Sequence, residues 1–386
     1  MVPAWRRGQA INEWREIPNS MMVNAPNVVL AKSLTGSTAV GAGNGFGSRL
    51  DAYCGAAIDT RVSKLWTVAA GGHGDYWNNE LVYQDLMADS PAWVIHFNGS
   101  SGNVVNESPV PQDPASARYA DGLPCSRHTY YQTQFIERHN RAITCGGSIS
   151  APGTGYQDIE AFNVNVSRGT NGWDALYTYP GLFGLRGPGG IEPSCCKDPL
   201  TEFIYAFNGG KVYRVRPSPS GPIPGVLGSG GTADILLNDS TINSGNEGAT
   251  AVDTNRNQLI WTHGFGTNSG TRPRLLNLSN NVIVERSYSG AASSDLATRS
   301  AAMGITYVPQ IDSYLMRSKD GGGKVYKINA STLEVTFLQT IGGDAVPAGS
   351  GSGYEGVFNK WLHVPALSGV VYLPGAAANT WFLRLY

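Results

Sequence analysis

Short apolar stretches on either side of a polar turn recur along the chain and form its clearest pattern. Each repeat reads as a β-hairpin, because a strand end, a turn and a second strand follow one another within ten residues. The six repeats span residues 57–66, 135–144, 195–204, 251–260, 307–316 and 363–372. Helical periodicity is almost absent between them. The pattern therefore predicts an all-β chain built from one repeated unit.

The spacing of these hairpins predicts the architecture. Equivalent positions lie 78, 60, 56, 56 and 56 residues apart, at Ile58, Ile136, Cys196, Val252, Val308 and Val364. All-β units that repeat with a near-constant period of roughly 40–50 residues are propeller blades. We therefore expect a six-bladed β-propeller with four antiparallel strands per blade, as one domain over residues 1–386. A seventh blade stays open if residues 20–48 or 98–124 contain a degenerate one.

The fullest repeat and the last one predict how the ring closes. In the fullest repeat, strands are expected over residues 53–59, 64–70, 80–85 and 93–97. The last repeat supplies only three, over residues 360–365, 370–374 and 380–386. The segment 12–18, which begins its apolar part at Trp14, resembles the Trp-led fourth strand at Trp93. We expect this N-terminal strand to complete the last blade and remove its open edge.

Glycine and aromatic positions within the blades resemble those of kelch-type propellers of the galactose-oxidase-like class. In that class a diglycine follows strand two, a Tyr lies on strand three and a Trp on strand four. The first two blades supply Gly71-Gly72 with Tyr83 and Trp93, and Gly146-Gly147 with Phe162 and Trp173. Later blades are degenerate, and His263-Gly264 replaces the diglycine in the fourth. The resemblance implies the fold class but does not imply any particular activity.

Composition and charge narrow the classes of partner. Charged residues make up 15% of the chain and the formal net charge is −1, so no overall field attracts nucleic acid or an acidic membrane. No apolar run reaches the ~18 residues of a membrane span. No apolar segment of a signal peptide follows the first residues. We therefore expect cytoplasmic synthesis without a nucleic-acid or membrane partner, and assembly into a virion stays open.

Cysteine spacing and short motifs give no sign of a cofactor. The five cysteines are an odd number, and none forms a Cys-x-x-Cys pair or has zinc-ligand spacing. We expect buried free thiols, while a vicinal Cys195–Cys196 disulfide stays open. No P-loop, dinucleotide fingerprint or zinc-protease motif is present, so no metal and no cofactor is predicted.

Arginines that precede successive inner strands give the strongest functional signal. Arg49, Arg127 and Arg299 occupy equivalent places, and Arg186 lies one residue off. A ring of arginines at one mouth of the central channel, with Glu355 among them, matches carboxylate, sulfate or phosphate groups. The pattern predicts an anionic ligand, such as an acidic sugar. In the alternative, each arginine ties neighbouring blades together through carbonyls or carboxylates.

Loops predicted on the same face add further candidates for binding or acid–base chemistry. Histidine titrates near neutral pH, tyrosine can protonate a leaving group, and exposed aromatic rings suit stacking on sugars. The candidates for ligand binding are Asp75, Tyr76 and Tyr354, and those for catalysis are His73, His128 and Tyr130. In the alternative, His73 and Asp75 shape their loop and Tyr130 packs against the channel wall.

Together these signals favour ligand recognition over catalysis, with an anionic carbohydrate or cell-surface glycan as the expected partner. The segment that begins at Trp14 resembles phage-encoded propellers, which favours a receptor-binding or decoration protein in contact with other virion proteins. In the enzyme alternative, the chain resembles polysaccharide lyases built on propellers, such as ulvan lyases, in fold class and residue types. A third alternative is a scaffold for protein–protein interaction.

Overall fold

Six antiparallel sheets arranged as the blades of a propeller make up the protein, in a computed structural model. It describes residues 2–25, 48–51, 53–71, 78–100, 118–149, 155–180, 194–208, 210–239, 248–264, 272–299, 302–349 and 356–386. The predicted all-β, six-bladed fold is confirmed. Its α-helices in these ranges are the short Ser48–Asp51 (α1) and Ser293–Ala297 (α2). No helix within them is both long and apolar enough to cross a membrane.

The strands follow the predicted blade order, with the innermost strand first in each blade except blade 2, where β6 and β7 lie on the same side of β8. The N-terminal strand is Trp14–Glu16 (β1). Blade 1 contains Ala57–Asp59 (β2), Lys64–Val68 (β3), Leu81–Asp85 (β4) and Trp93–Phe97 (β5). Blade 2 contains Arg127–His128 (β6), Thr133–Ile136 (β7), Arg141–Ile149 (β8) and Gly155–Asn163 (β9). In blade 2, β6 and β7 both pair with β8, and an isolated bridge between Phe162 and Trp173 extends the outer edge.

The remaining blades are regular meanders. Blade 3 contains Ser194–Lys197 (β10), Ile204–Asn208 (β11), Lys211–Pro217 (β12) and Gly231–Asn238 (β13). Blade 4 contains Ala249–Asp253 (β14), Gln258–Thr262 (β15), Arg274–Asn277 (β16) and Val282–Glu285 (β17). Blade 5 contains Gly304–Val308 (β18), Ser313–Arg317 (β19), Tyr326–Asn329 (β20) and Val335–Phe337 (β21). Blade 6 contains Trp361–Val364 (β22), Gly369–Tyr372 (β23) and Trp381–Arg384 (β24), completed by β1.

All six predicted hairpins join the inner strand of a blade to the next strand, which in blade 2 means β7 to β8, and they turn in the same way. Just before each second strand one residue is left-handed, with φ between +46° and +60°, at Ser63, Asn140, Glu202, Asn257, Asp312 and Ser368. Short polar side chains tolerate this conformation better than β-branched ones. Because the blades are arranged around one axis, the six turns lie at one end of the propeller. We call this end the turn face.

The inner strands contact one another around the whole ring. β2 contacts both β7 and β22, β14 contacts both β10 and β18, and β18 contacts β22. Between β7 and β10, Gln134 Nε2 donates to the Cys195 carbonyl (3.4 Å) and Lys197 Nζ to the Phe135 carbonyl (2.7 Å). No gap is left for another blade, so the seven-bladed alternative is wrong.

The N-terminal strand completes blade 6, as predicted. β1 pairs antiparallel with β24, with Trp14 opposite Leu383. The Trp14 indole is 4% exposed, its ring lies 5.8 Å from that of Trp361, and its Nε1–H donates to the Gly323 carbonyl in blade 5 (3.3 Å). Closure therefore combines main-chain pairing with one buried aromatic side chain that bridges two blades.

Two predicted strand boundaries were wrong for a backbone reason. β2 starts at Ala57 rather than at residue 53, and β3 ends at Val68 rather than at residue 70. Tyr53 and Ala69 have φ angles of +50° and +45°, which an extended strand cannot include.

All five cysteines are buried and carry free thiols. The vicinal disulfide that the sequence left open is therefore not formed. Burial raises the pKa of Cys54 to about 11 and that of Cys196 to about 12. Because the thiolate is the reactive form, these two cysteines are poor nucleophiles at neutral pH.

Replacement of Trp14 tests the closure of the ring. We expect Trp14→Ala to lower the free energy of unfolding by about 3–5 kcal/mol, as for other buried tryptophans. Urea unfolding at equilibrium measures the change. The control is Ile11→Ala in the same segment, where the side chain is 53% exposed and a change within about 0.5 kcal/mol is expected. Equal losses in the two variants would contradict this role for Trp14.

Candidate functional site

A cavity of about 280 Å³ lies at the centre of the ring and is lined by residues from all six blades. One lining residue from each blade, in chain order, is Ile58, Gln134, Lys197, Thr250, Thr306 and Leu362. Residues of the hairpin turns also line it, so the cavity opens at the turn face. A site built from every blade exists only when the ring is closed.

The deepest part of the cavity contains polar side chains. Each inner strand runs towards its turn, so residues at or before the start of the strand lie furthest from the opening. Asn359 precedes β22, and its Nδ2 donates to the carbonyls of Tyr131 (2.6 Å) and Thr133 (3.0 Å). Gln134 Nε2 donates to the carbonyls of Tyr131 (2.9 Å) and Cys195 (3.4 Å). Both amide nitrogens are thus held by main-chain oxygens, which fixes the orientation of each amide.

Aromatic side chains fill the channel at its other end. They come from the segments that precede the inner strands, namely Tyr53, Tyr130, Tyr131 and Phe358. The Phe358 ring lies 5.5 Å from that of Tyr130 and 5.3 Å from that of Tyr131. The Tyr131 hydroxyl donates to the Met303 carbonyl (2.7 Å), and this side chain is 1% exposed. In the part of the chain that the structure describes, this aromatic plug makes the cavity blind.

The opening of the cavity is apolar and accessible. Pro199, Pro309 and Pro365 line it together with Leu200, which is 72% exposed. These residues belong to the turns that follow inner strands of blades 3, 5 and 6. A ligand that enters the cavity therefore passes an apolar rim before it reaches the polar groups inside.

The cation on the cavity wall is neutralised by a carboxylate of the neighbouring blade. Lys197 Nζ forms a salt bridge with Glu137 Oε2 and donates to the Phe135 carbonyl (2.7 Å). The other carboxylate oxygen of Glu137 accepts from the Thr60 hydroxyl (3.2 Å). Residues of three blades meet at this ion pair, which therefore stabilises the contacts between these blades at the rim.

A second group of charges lies at the rim between blades 4 and 5. The Arg256 guanidinium donates to both carboxylate oxygens of Asp312 (2.7 and 2.6 Å) and to Asp253 Oδ2 (2.8 Å). The Tyr307 hydroxyl, on the cavity wall, donates to Asp312 Oδ1 (2.8 Å). The hydrogen bonds from Arg256 hold the pKa of Asp312 well below its usual range. Two carboxylates thus share one guanidinium here.

His363 lines the cavity as a neutral side chain. Its Nε2 lies 3.2 Å from the Tyr386 hydroxyl, and burial lowers its pKa to about 4. At neutral pH the imidazole therefore contributes no charge to the cavity wall.

The predicted arginines at the opposite end are engaged by groups of the protein. Arg49 is fully buried and forms a salt bridge with Glu80. Arg127 is also fully buried, and it donates to the carbonyls of Cys125 (3.1 Å) and Gly146 (3.2 Å). Their partners are carboxylates and carbonyls, as in the structural alternative, but these lie within the arginine's own blade or the segment that leads into it.

Arg299 differs from these two because it is partly exposed. Its Nε donates to the Tyr326 hydroxyl (2.8 Å) and its Nη2 forms a salt bridge with Asp295 (2.5 Å). Asp295 lies in α2, four residues earlier in the chain. A ligand-binding role for Arg49, Arg127 and Arg299 remains a prediction.

The other predicted residues divide into a buried pair and a set that lies outside the described residues. His128 and Tyr130 are 4% and 2% exposed, and the His128 ring lies 4.7 Å from that of Tyr53 in the aromatic plug. His128 Nδ1 is 3.4 Å from the Tyr130 hydroxyl. Outside the described residues lie His73, Asp75, Tyr76, Arg186, Tyr354 and Glu355. Their predicted roles stay predictions.

Sequence reasoning missed the side chains that line the cavity. Thr250, Thr306 and Gln134 stand within otherwise apolar inner strands, at positions that meet at the axis of the ring. Polar side chains on a strand that is buried on both faces are unusual and point to a solvated or ligand-filled centre. The alignment of the six hairpins contains this signal, because all three residues lie two positions before the aligned residues Ile136, Val252 and Val308.

Comparison with known proteins gives little further information about this site. No family model matches the sequence, and no curated protein matches it. A chain in a solved structure described as "Crystal Structure of Mitotic Checkpoint Complex" is similar, with a TM-score of 0.46 and 11% identity over 100% of this chain and 98% of that chain. This likeness is too distant to inform the function. In the described part of the chain, no group of three or more His, Cys, Asp or Glu side chains is placed to hold a metal.

Titration of His363 tests its buried setting at the cavity wall. We expect the imidazole to keep a neutral form until about pH 4, because burial lowers its pKa from the ordinary value of 6.5. Proton binding then favours the unfolded chain, so its contribution to stability is complete above pH 6.5 and is lost as the pH falls towards 4. NMR of the imidazole signals, assigned with His363→Asn, measures the midpoint. A midpoint near 6.5 would contradict the burial.

Proposed function

We propose that this protein is a ligand-recognition propeller whose ligand enters the central cavity from the turn face. The observation that carries the proposal is the convergence of all six blades on one cavity of about 280 Å³. Binding sites for small ligands are concave, mostly apolar and equipped with a few placed polar groups. The apolar rim and the inward amides of Gln134 and Asn359 meet this description.

The ligand that we propose is the terminal part of a carbohydrate. Hydroxyl and amide side chains suit sugar hydroxyls, and the proline and leucine side chains at the rim suit the apolar faces of sugar rings. The preference for an anion rested on arginines. Because Arg49, Arg127 and Arg299 are bound to protein groups, it is not part of the proposal. The kelch-type relationship and the role in a phage virion remain proposals that the sequence alone supports.

Recognition without chemistry is better supported than catalysis. Of the predicted catalytic residues, His128 and Tyr130 are buried in the aromatic plug. The described lining of the cavity contains one histidine, His363, and no carboxylate. General acid–base chemistry needs a positioned donor and acceptor within reach of the substrate. The lyase interpretation therefore depends on residues outside the described ranges.

A protein partner is the second candidate, and the exposed rim favours it. Leu200 is 72% exposed, and exposed apolar residues around a concave opening are typical of contact surfaces. In this case a protruding segment of the partner would take the place of the glycan end.

Blocking the cavity tests the site. We expect Thr306→Phe to weaken glycan binding about tenfold or more, because the ring would occupy the space lined by Thr306. Binding is measured on an array of neutral and acidic glycans and then by calorimetry with the best ligand. The matched control is Thr336→Phe on the outer strand β21 of the same blade, where the side chain is exposed.

Three results would contradict the proposal. Unchanged binding by Thr306→Phe would place the ligand elsewhere on the propeller. New unsaturated uronate products, measured near 235 nm after incubation with acidic polysaccharides, would identify a lyase instead. Absence of any glycan ligand, together with a protein partner whose binding Leu200→Asp abolishes, would favour the second candidate.

A further inference from the structure

The two amide side chains deep in the cavity offer acceptors of hydrogen bonds. Gln134 and Asn359 each donate twice to main-chain carbonyls, which uses both N–H groups of each amide. No described residue donates to Gln134 Oε1 or Asn359 Oδ1. A polar ligand group that meets these two amide oxygens is therefore matched only if it can donate, whereas the hydroxyls of Thr250 and Thr306 can donate as well as accept.

The charges around the cavity disfavour an anion. The lining cation is Lys197, which is paired with Glu137, and burial keeps His363 neutral. At the rim, Arg256 faces two carboxylates, those of Asp253 and Asp312. This part of the rim therefore has an excess of one negative charge. A carboxylate that entered would lose its hydration without gaining an unpaired cation.

The walls between the rim and the deep amides are largely apolar. The apolar residues of the lining include Ile58, Val252, Ile305 and Leu362. Such walls match the C–H surface of a ring better than a chain of charged groups. The cavity therefore combines apolar contact with a small number of acceptors.

We propose that the cavity selects compact, uncharged ligands that present hydroxyl or amide N–H groups, such as the neutral end of a glycan, and rejects carboxylates. This inference rests on the proposed function, since it concerns the same cavity. The expected ligand is therefore a neutral hydrogen-bond donor and not the anion that the arginine spacing predicted. Recognition depends on the orientation of two amides that the main chain fixes.

Matched small probes test this selectivity without knowledge of the natural ligand. The probes are cyclohexanol, cyclohexyl methyl ether and cyclohexanecarboxylate, which share a ring and differ in donor ability and charge. NMR of the methyl groups of Ile58, Ile305 and Leu362 follows each titration of the full chain. We expect the alcohol to shift these signals at about tenfold lower concentration than the ether or the carboxylate, as for one lost hydrogen bond.

The outcomes separate this inference from the proposed function. Equal or stronger binding of the carboxylate would overturn the inference and leave the cavity as a binding site. Equal binding of the ether would show that donation is irrelevant and would also overturn it. If no probe shifts the cavity methyl groups, the site itself is refuted, and the proposed function fails with it.

One substitution should reverse the charge preference. Glu137→Gln removes the carboxylate that pairs with Lys197 and leaves the ammonium bound only to the Phe135 carbonyl. We expect the carboxylate probe to bind about tenfold more tightly, while the alcohol is unaffected. The control is Glu202→Gln, which breaks the pair with Arg138 between the same two blades but away from the cavity lining. No gain for the carboxylate in Glu137→Gln would overturn the charge argument.

Discussion

The closed ring of inner strands is the constraint on which the rest of the structure depends. Each inner strand contacts two neighbours, and the contact between β22 and β2 closes the ring. The pairing of β1 with β24 completes the sheet of blade 6. A sheet with an unpaired edge is prone to slip or to pair with another chain, and closure removes that edge. The wall of the central cavity consists of the inner strands and of the segments at their ends. Its shape therefore depends on the contacts between neighbouring blades.

The two ends of the central channel are built from different chemistry. The segments that lead into the inner strands bring Tyr53, Tyr130, Tyr131 and Phe358 together, and their rings pack edge to face or tilted. Such ring contacts stabilise the structure beyond the effect of the apolar area that they bury. The hairpin turns at the other end do not fill the central axis. In each hairpin a left-handed residue leads the backbone directly into the second strand. One end of the channel is thus filled by a hydrophobic core, and the other end is the open surface of the cavity.

The fold was readable from the sequence because it depends on local patterns. Alternation within each hairpin and the constant period predicted six blades, and the likeness of Trp14 to Trp93 predicted the closing strand. The candidate site was harder to predict, since its geometry depends on distant partners. Arg49 is neutralised by Glu80 and Arg127 is bound by carbonyl groups, and neither partner is marked by a pattern in the sequence. At two positions of the predicted arginine ring, Arg49 and Arg127, the structure therefore has buried side chains that are bound by protein groups.

The same argument explains why uncharged residues are the better guide to the site. A charged side chain near a protein centre must be paired, and pairing removes it from ligand binding. An amide can satisfy the main chain through its nitrogen and still offer its oxygen, as Gln134 and Asn359 do. Their acceptors belong to Tyr131, Thr133 and Cys195, so the recognition chemistry is set by the backbone of blades 2 and 3. In a closed propeller, polar side chains on the inner strands are the residues through which the fold itself can select a ligand.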